Sequence, residues 1–73
     1  MTTVERLCQI LFLTFDLGKI FSLKDIYKVA IPIFSFTNPN NKTLEALIRR
    51  DLQTIRNSGK LLFIGGGKYI LIA

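Results

Sequence analysis

The chain contains no histidine and a single cysteine, Cys8. Without histidine there is no Cys–His or Ser–His couple to raise a nucleophile. Without several cysteines or histidines there is no zinc cluster. One thiol forms no internal disulfide, which fits a reducing, cytoplasmic setting. Cys8 lies in an apolar helical pattern with no neighbouring base, and reads as a buried structural thiol. Acidic residues are also few. Glu5, Asp16, Asp25, Glu45 and Asp51 are scattered, and they form neither a divalent-metal cluster nor a nuclease-like strand motif ending in lysine. No enzyme activity, cofactor or metal is therefore expected. No apolar run approaches the ~18 residues of a membrane span. The start of the chain lacks the basic segment and small-residue cleavage site of a signal peptide.

What is present is apolar and basic. Of 73 residues, 49% are hydrophobic, enough for one small domain over residues 1–73. A core of that size usually supplies only ~3–5 kcal/mol. The same apolar content leaves surface that a partner or a further domain would cover. The net charge is +5 and unevenly placed. Up to residue 36, Arg6, Lys19, Lys24 and Lys28 face Glu5, Asp16 and Asp25. After it, Lys42, Arg49, Arg50, Arg56, Lys60 and Lys68 face only Glu45 and Asp51. The halves carry +1 and +4, and the excess in the second favours a polyanionic partner.

Local signals give the order α-β-α-α-β-β. Thr2-Thr3-Val4-Glu5 is a capping box that starts a first helix. Val4, Leu7, Cys8, Leu11 and Phe15 repeat at helical spacing, and Gly18 is a stop after Leu17. Ile20 and Phe21 predict a single bridge beside later strands. Ser22 and Asp25 form a second box opening a helix at Leu23, with Leu23, Ile26, Tyr27 and Ala30 inward. Pro32 limits that helix, or kinks it through Phe34. Ser35 to Asn41 is rich in turn formers. Asn40 or Asn41 is expected to cap a third helix over about Lys42–Asn57.

An advance of about 100° per residue divides the third helix. Leu44, Leu47, Ile48, Leu52 and Ile55 share one face. Lys42, Ala46, Arg49, Arg50, Gln53 and Asn57 share the other. Asp51 falls on the apolar side and is expected at the core edge, with a basic or hydroxyl partner. Gly59 ends the helix. Leu61–Ile64 and Tyr69–Ile72 are β-rich runs joined by Gly65-Gly66-Gly67, a hairpin tip without a P-loop's lysine and serine. A basic helix followed by a two-stranded wing predicts an α+β winged helix-turn-helix. Such a fold lays its helix in the major groove of double-stranded DNA.

The polar face suits that task. Arg49 and Arg50 can donate to guanine O6 and N7 or clamp phosphates, and Gln53 and Asn57 can pair the two polar atoms of adenine. Ala46 permits close approach. Thr37, Asn38, Asn40, Asn41, Lys42 and Thr43 stand at the helix start, where amides attract phosphate. Lys60 and Lys68 flank the wing strands. Phe34 and Phe36 are read as core, with the alternative that one lines an apolar pocket for a base methyl group. Tyr27 and Tyr69 are read as core with a hydroxyl at the surface.

IFSLKDIY, PNNKTLEALIRRDLQTIRNSGKLLF and GGGKYIL, in that order, resemble the C-terminal winged-helix domain of Dpn-type restriction endonucleases, which cleave GATC carrying methyladenine. The resemblance spans Val4 to Leu71. It implies that Asn41, Lys42, Thr43, Arg49, Arg50 and Gln53 face DNA and that Lys68 lies at the wing. In that family a separate N-terminal domain holds the nuclease, so the chain would be an excised recognition domain or a stand-alone relative. With no tryptophan present, phenylalanine would supply any aromatic surface for a methyl group. The competing readings are a small transcription regulator and a protein-docking or dimerisation module. In the docking reading, Tyr69–Ile72 would pair edge to edge with another chain.

Overall fold

A computed structural model describes residues 2–40 and 42–72. Helix α1 (Thr3–Thr14) is followed by strand β1 (Ile20–Ser22), helices α2 (Leu23–Thr37) and α3 (Leu44–Asn57), and strands β2 (Leu61–Gly65) and β3 (Lys68–Leu71). The strands form one antiparallel sheet in the order β1-β3-β2. This is the α+β winged helix-turn-helix expected from the pattern. No helix among the described residues is long and apolar enough to cross a membrane.

Both capping boxes form. The Thr2 hydroxyl accepts from the Glu5 amide at 3.1 Å, and Glu5 accepts in return from the Thr2 amide at 3.1 Å. Ser22 and Asp25 repeat the arrangement, with 3.1 Å in each direction. Each box satisfies amides that a helix start leaves unpaired. The backbone amide of Thr2, then its hydroxyl, holds the Glu5 carboxyl below its ordinary value. The Ser22 amide and hydroxyl do the same for Asp25.

Several boundaries differ from the expected ones. Helix α1 stops at Thr14 rather than Leu17. Phe15 turns extended, and its ring stacks on Phe21 at 4.1 Å, a contact another helical turn would forfeit. Helix α2 continues through Pro32 to Thr37 instead of stopping or ending near Phe34. Proline removes one intrahelical hydrogen bond, at a cost of about 3 kcal/mol. Full burial of Phe34 returns about 1.5–3 kcal/mol. The last turn is closed by the Asn38 amide on the Phe34 carbonyl at 2.7 Å and the Thr37 hydroxyl on Ile33 at 3.1 Å. The predicted turn therefore shrinks to 38–43. Thr43 is the N-cap of α3, which begins at Leu44 rather than Lys42. Asn40 is not the cap, and Asn41 lies outside the described residues.

Phe36 is not core. Phe34 is wholly buried, whereas Phe36 is 87% exposed, because two residues of helix rotate it to the far side. Asp51 is not at the core edge but fully buried. Its position on the apolar stripe of α3 left no other place for it.

The first strand is more than a bridge. Ile20, Phe21 and Ser22 pair with Ile70, Tyr69 and Lys68. Strand β3 is thus central: Tyr69 and Ile70 are paired on both sides, and Leu71 pairs with Leu61 while its carbonyl accepts from the Gly18 amide at 2.9 Å, which leaves no free edge along Tyr69–Leu71 for another chain. Gly66 and Gly67 form the two-residue tip with φ of 59° and 70°. Positive φ at both central positions is the hairpin geometry that matches strand twist. A bulge between Phe63 and Gly65 precedes it. The tip is anchored to the helices, since the Leu23 amide at the start of α2 donates to Gly67 at 2.7 Å.

The core joins Leu7, Ile10 and Leu11 of α1 with Ile26, Ala30 and Phe34 of α2. Ile48, Leu52 and Ile55 of α3, and Phe21, Leu61, Tyr69 and Leu71 of the sheet, complete it. Cys8 is partly buried against this cluster, consistent with a structural thiol.

Phe34→Ala should cost about 3–5 kcal/mol and leave the domain largely unfolded at 25 °C, while Phe36→Ala should change stability by less than about 0.5 kcal/mol. Urea unfolding followed by circular dichroism separates the two. The caps also predict a pH dependence. Folded-state carboxyl values below the ordinary ones stabilise at pH above the ordinary values, and that contribution fades as pH falls through the folded values. The melting temperature of the wild type should exceed that of Asp25→Asn at neutral pH, and the gap should close toward about pH 2. A gap independent of pH would exclude this origin.

Candidate nucleic-acid interface

The second helix-turn-helix element, α3, presents its polar side outward because its apolar stripe is spent on the core. Ala46, Arg49, Arg50, Gln53 and Asn57 are all exposed. At the start of α3, Thr37, Asn38, Pro39, Asn40, Lys42 and Thr43 line a shallow, open groove. A second one, lined by Lys42, Thr43, Leu44, Glu45, Ala46 and Arg49, continues along the helix. Lys42, Thr43, Ala46 and Arg49 are thereby brought onto one continuous surface, with the acidic Glu45 among them. Asn41 lies outside the described residues. Lys68 stands apart, exposed on β3 opposite Ser22 and Gly65 beside the hairpin tip.

The basic side chains are held rather than loose. Arg49 Nη1 donates to the Tyr27 hydroxyl at 3.3 Å, which ties α3 to α2. Tyr27 is half-buried, its hydroxyl reaching this surface as the sequence suggested. Arg50 donates from Nε at 3.3 Å and from Nη2 at 3.2 Å to Asp51 Oδ1. The Asp51 side chain is 1% exposed and that of Arg50 is 69% exposed. Asp51 has found the basic partner expected of it, in the adjacent residue. Its Oδ2 has no hydrogen-bond partner. The pair occupies one donating edge of the Arg50 guanidinium and leaves its Nη1–Nη2 edge directed at solvent.

Gln53 and Asn57 do not hang free to meet a base. Gln53 Nε2 donates to Asn57 Oδ1 at 3.1 Å. Arg56 Nη1 donates to Gln53 Oε1 at 3.0 Å. The Arg56 guanidinium also sits over the Phe63 ring of β2, 5.0 Å from its centroid. Phe63 in turn contacts Tyr69 at 5.2 Å, and Tyr69 contacts Phe21 at 6.3 Å. With the Phe15–Phe21 stack, this ring series runs from the end of α1 across all three strands to α3. Burial pushes the Tyr69 phenol above its ordinary value, against the opposing pull of Arg56.

Arg56 is a member of this surface that the sequence pattern does not assign, and the pairing of the Tyr27 hydroxyl with Arg49 is likewise not legible in it. Arg56 sits at the boundary between the apolar and polar faces of α3, so helical periodicity alone does not place it on this surface. A signal was available: Arg56 lies three residues after Gln53, the spacing at which helical side chains meet.

The family model of the Dam-replacing HTH domain matches residues 5–70, nearly the whole described fold. No curated protein matches the chain, and no solved structure does. The matched span contains the Ser22–Asp25 capping box, the helix-turn-helix, the wing and the outward basic surface of α3. The chain belongs to the Dam-replacing HTH domain family, a Dpn-type C-terminal winged helix-turn-helix that binds DNA.

Proposed function

We propose that this domain is the sequence-reading part of a DNA-binding system, with α3 in the major groove of double-stranded DNA. The observation that carries the reading is the outward face of α3, where guanidinium and amide groups replace every large apolar side chain. In this reading Arg49 and the free edge of Arg50 reach base edges or phosphates. Ala46 allows close approach, and Gln53 and Asn57 lie at the centre of the contact. Lys42 and Thr43 lie at the start of α3, where backbone amides and the lysine suit a phosphate, and Asn41 precedes them in sequence. Lys68 meets the backbone beside the groove.

The Dpn-type resemblance extends the reading to adenine methylation. Phe34 is sealed in the core and cannot meet a methyl group. Phe36, exposed at the end of α2, is the remaining phenylalanine for that role. The domain itself carries recognition, and any cleavage would belong to a separate nuclease domain.

One observation favours a second surface for protein contacts. Ile20, Ile70 and Leu62 align across the sheet on the face away from the core, with Ile20 and Leu62 exposed. A docking module would use this face. It would form complexes insensitive to salt and to Arg49→Ala.

Fluorescence anisotropy with methylated GATC, unmethylated GATC and scrambled duplexes, each over a salt series, tests the proposal. Wild-type affinity should fall steeply with salt. Arg49→Ala should weaken binding about tenfold or more with the fold intact, relaxing sequence preference if Arg49 touches a base and flattening the salt slope by about one if it touches a phosphate. Absence of binding to every duplex at low salt would overturn the proposal.

A further inference from the structure

Arg56 sets the hydrogen-bonding polarity of the amide pair in the last turn of α3. A guanidinium has donors only. The amide atom facing it must therefore be the Gln53 oxygen, at 3.0 Å. The Gln53 nitrogen then faces Asn57 and donates, so the atom of Asn57 at 3.1 Å is its oxygen. Reversing either amide would oppose donor to donor. An isolated glutamine or asparagine turns its amide to suit its partner; this pair cannot turn without breaking the contact to Arg56. The Phe63 ring beneath the guanidinium holds the source of that polarity against the wing.

The chain of contacts occupies one of the two acceptor positions on each amide oxygen. Both amide oxygens already accept a hydrogen bond from within the protein. The donors left over are the second hydrogen on Gln53 Nε2 and both hydrogens on Asn57 Nδ2, three against the single lone pair that each oxygen keeps. A guanine edge in the major groove presents two acceptors, N7 and O6. An adenine edge presents an acceptor beside a donor, and cytosine presents a donor. An adenine edge asks a single amide for an oxygen and an N–H side by side, and Gln53 has committed one of each to its neighbours.

We propose that Arg56 is a specificity-determining positioning residue: by fixing the polarity of the Arg56–Gln53–Asn57 chain, which leaves three donors against two acceptor positions, it biases this part of α3 toward guanine over adenine and cytosine. The inference rests on the placement of α3 in the major groove, and its failure is separable from the failure of that placement. Arg56 acts through Gln53 and Asn57 and need not touch DNA.

The test is competition binding of the full chain to duplexes randomised one position at a time, with 7-deazaguanine as a probe for the N7 contact. Wild type should show a guanine-over-adenine preference of at least about fivefold at one position, reduced by 7-deazaguanine there. Arg56→Gln, whose amide can present either atom, should lower that preference to less than about twofold while other positions keep theirs. Arg56→Lys, again donor-only, should retain most of it. Phe63→Leu, which removes the ring face but keeps an apolar side chain, should produce an intermediate loss. Thermal melts establish which variants are folded, and Phe63→Leu serves if Arg56→Gln is not.

A uniform drop across all bases in Arg56→Gln would make Arg56 a phosphate contact and overturn the inference. So would an unaltered profile in both Arg56→Gln and Phe63→Leu. Wild-type binding with no guanine preference at any position would overturn the inference while leaving DNA binding intact. No duplex binding at all would remove both.

Discussion

The structure depends on burial of one stripe of α3. Ile48, Leu52 and Ile55 are sealed in the core, and α3 packs against α1, α2 and β2. Because that stripe is spent inward, every outward position on α3 is polar or small, and the helix is delivered to the surface in one rotational setting. Packing and function are two sides of the same helical periodicity. The apolar residues hold the helix still, and the position of the charged ones follows.

One polar group breaks the stripe. Asp51 sits where a leucine would fit and is fully buried. Desolvating a carboxylate is costly, and a buried ion pair with one wet partner is weak evidence for stability. Its consequence is positional. Arg50 is pinned by two donors to a carboxylate oxygen that the core holds rigidly, and Arg49 is held by Tyr27. Long cationic side chains normally lose considerable freedom when they bind. These two are already partly ordered, which lowers that loss and confines the directions in which their donors point.

The wing belongs to the same construction. Phe15, Phe21, Tyr69 and Phe63 form a ring series across the sheet, and Arg56 continues it onto α3. The hairpin tip is fastened to the start of α2 by the Leu23 amide. The wing and the outward helix are thus one body, and a side chain on β2 can influence the orientation of amides on α3. Coupling of this kind is short-range and electrostatic, and needs no movement of the backbone.

The sequence by itself determined the elements and their faces. Thr2, Ser22 and Gly59 mark helix ends through local hydrogen bonding and backbone preference. The glycine run marks the hairpin, and the stripe from Leu44 to Ile55 follows from a period of about 3.6 residues. These signals act over a few residues, so they are visible in a linear string. Tertiary structure decided what depends on distant partners. Helix α2 passes Pro32 because Phe34 finds a core to fill, and α1 stops early because Phe15 finds Phe21. Phe36 and Phe34 are alike in composition and opposite in burial. Above all, Gln53 and Asn57 look free in the sequence and are not. Arg56 donates to Gln53 and Gln53 to Asn57, and Arg56 itself is placed over a ring that only the folded sheet supplies.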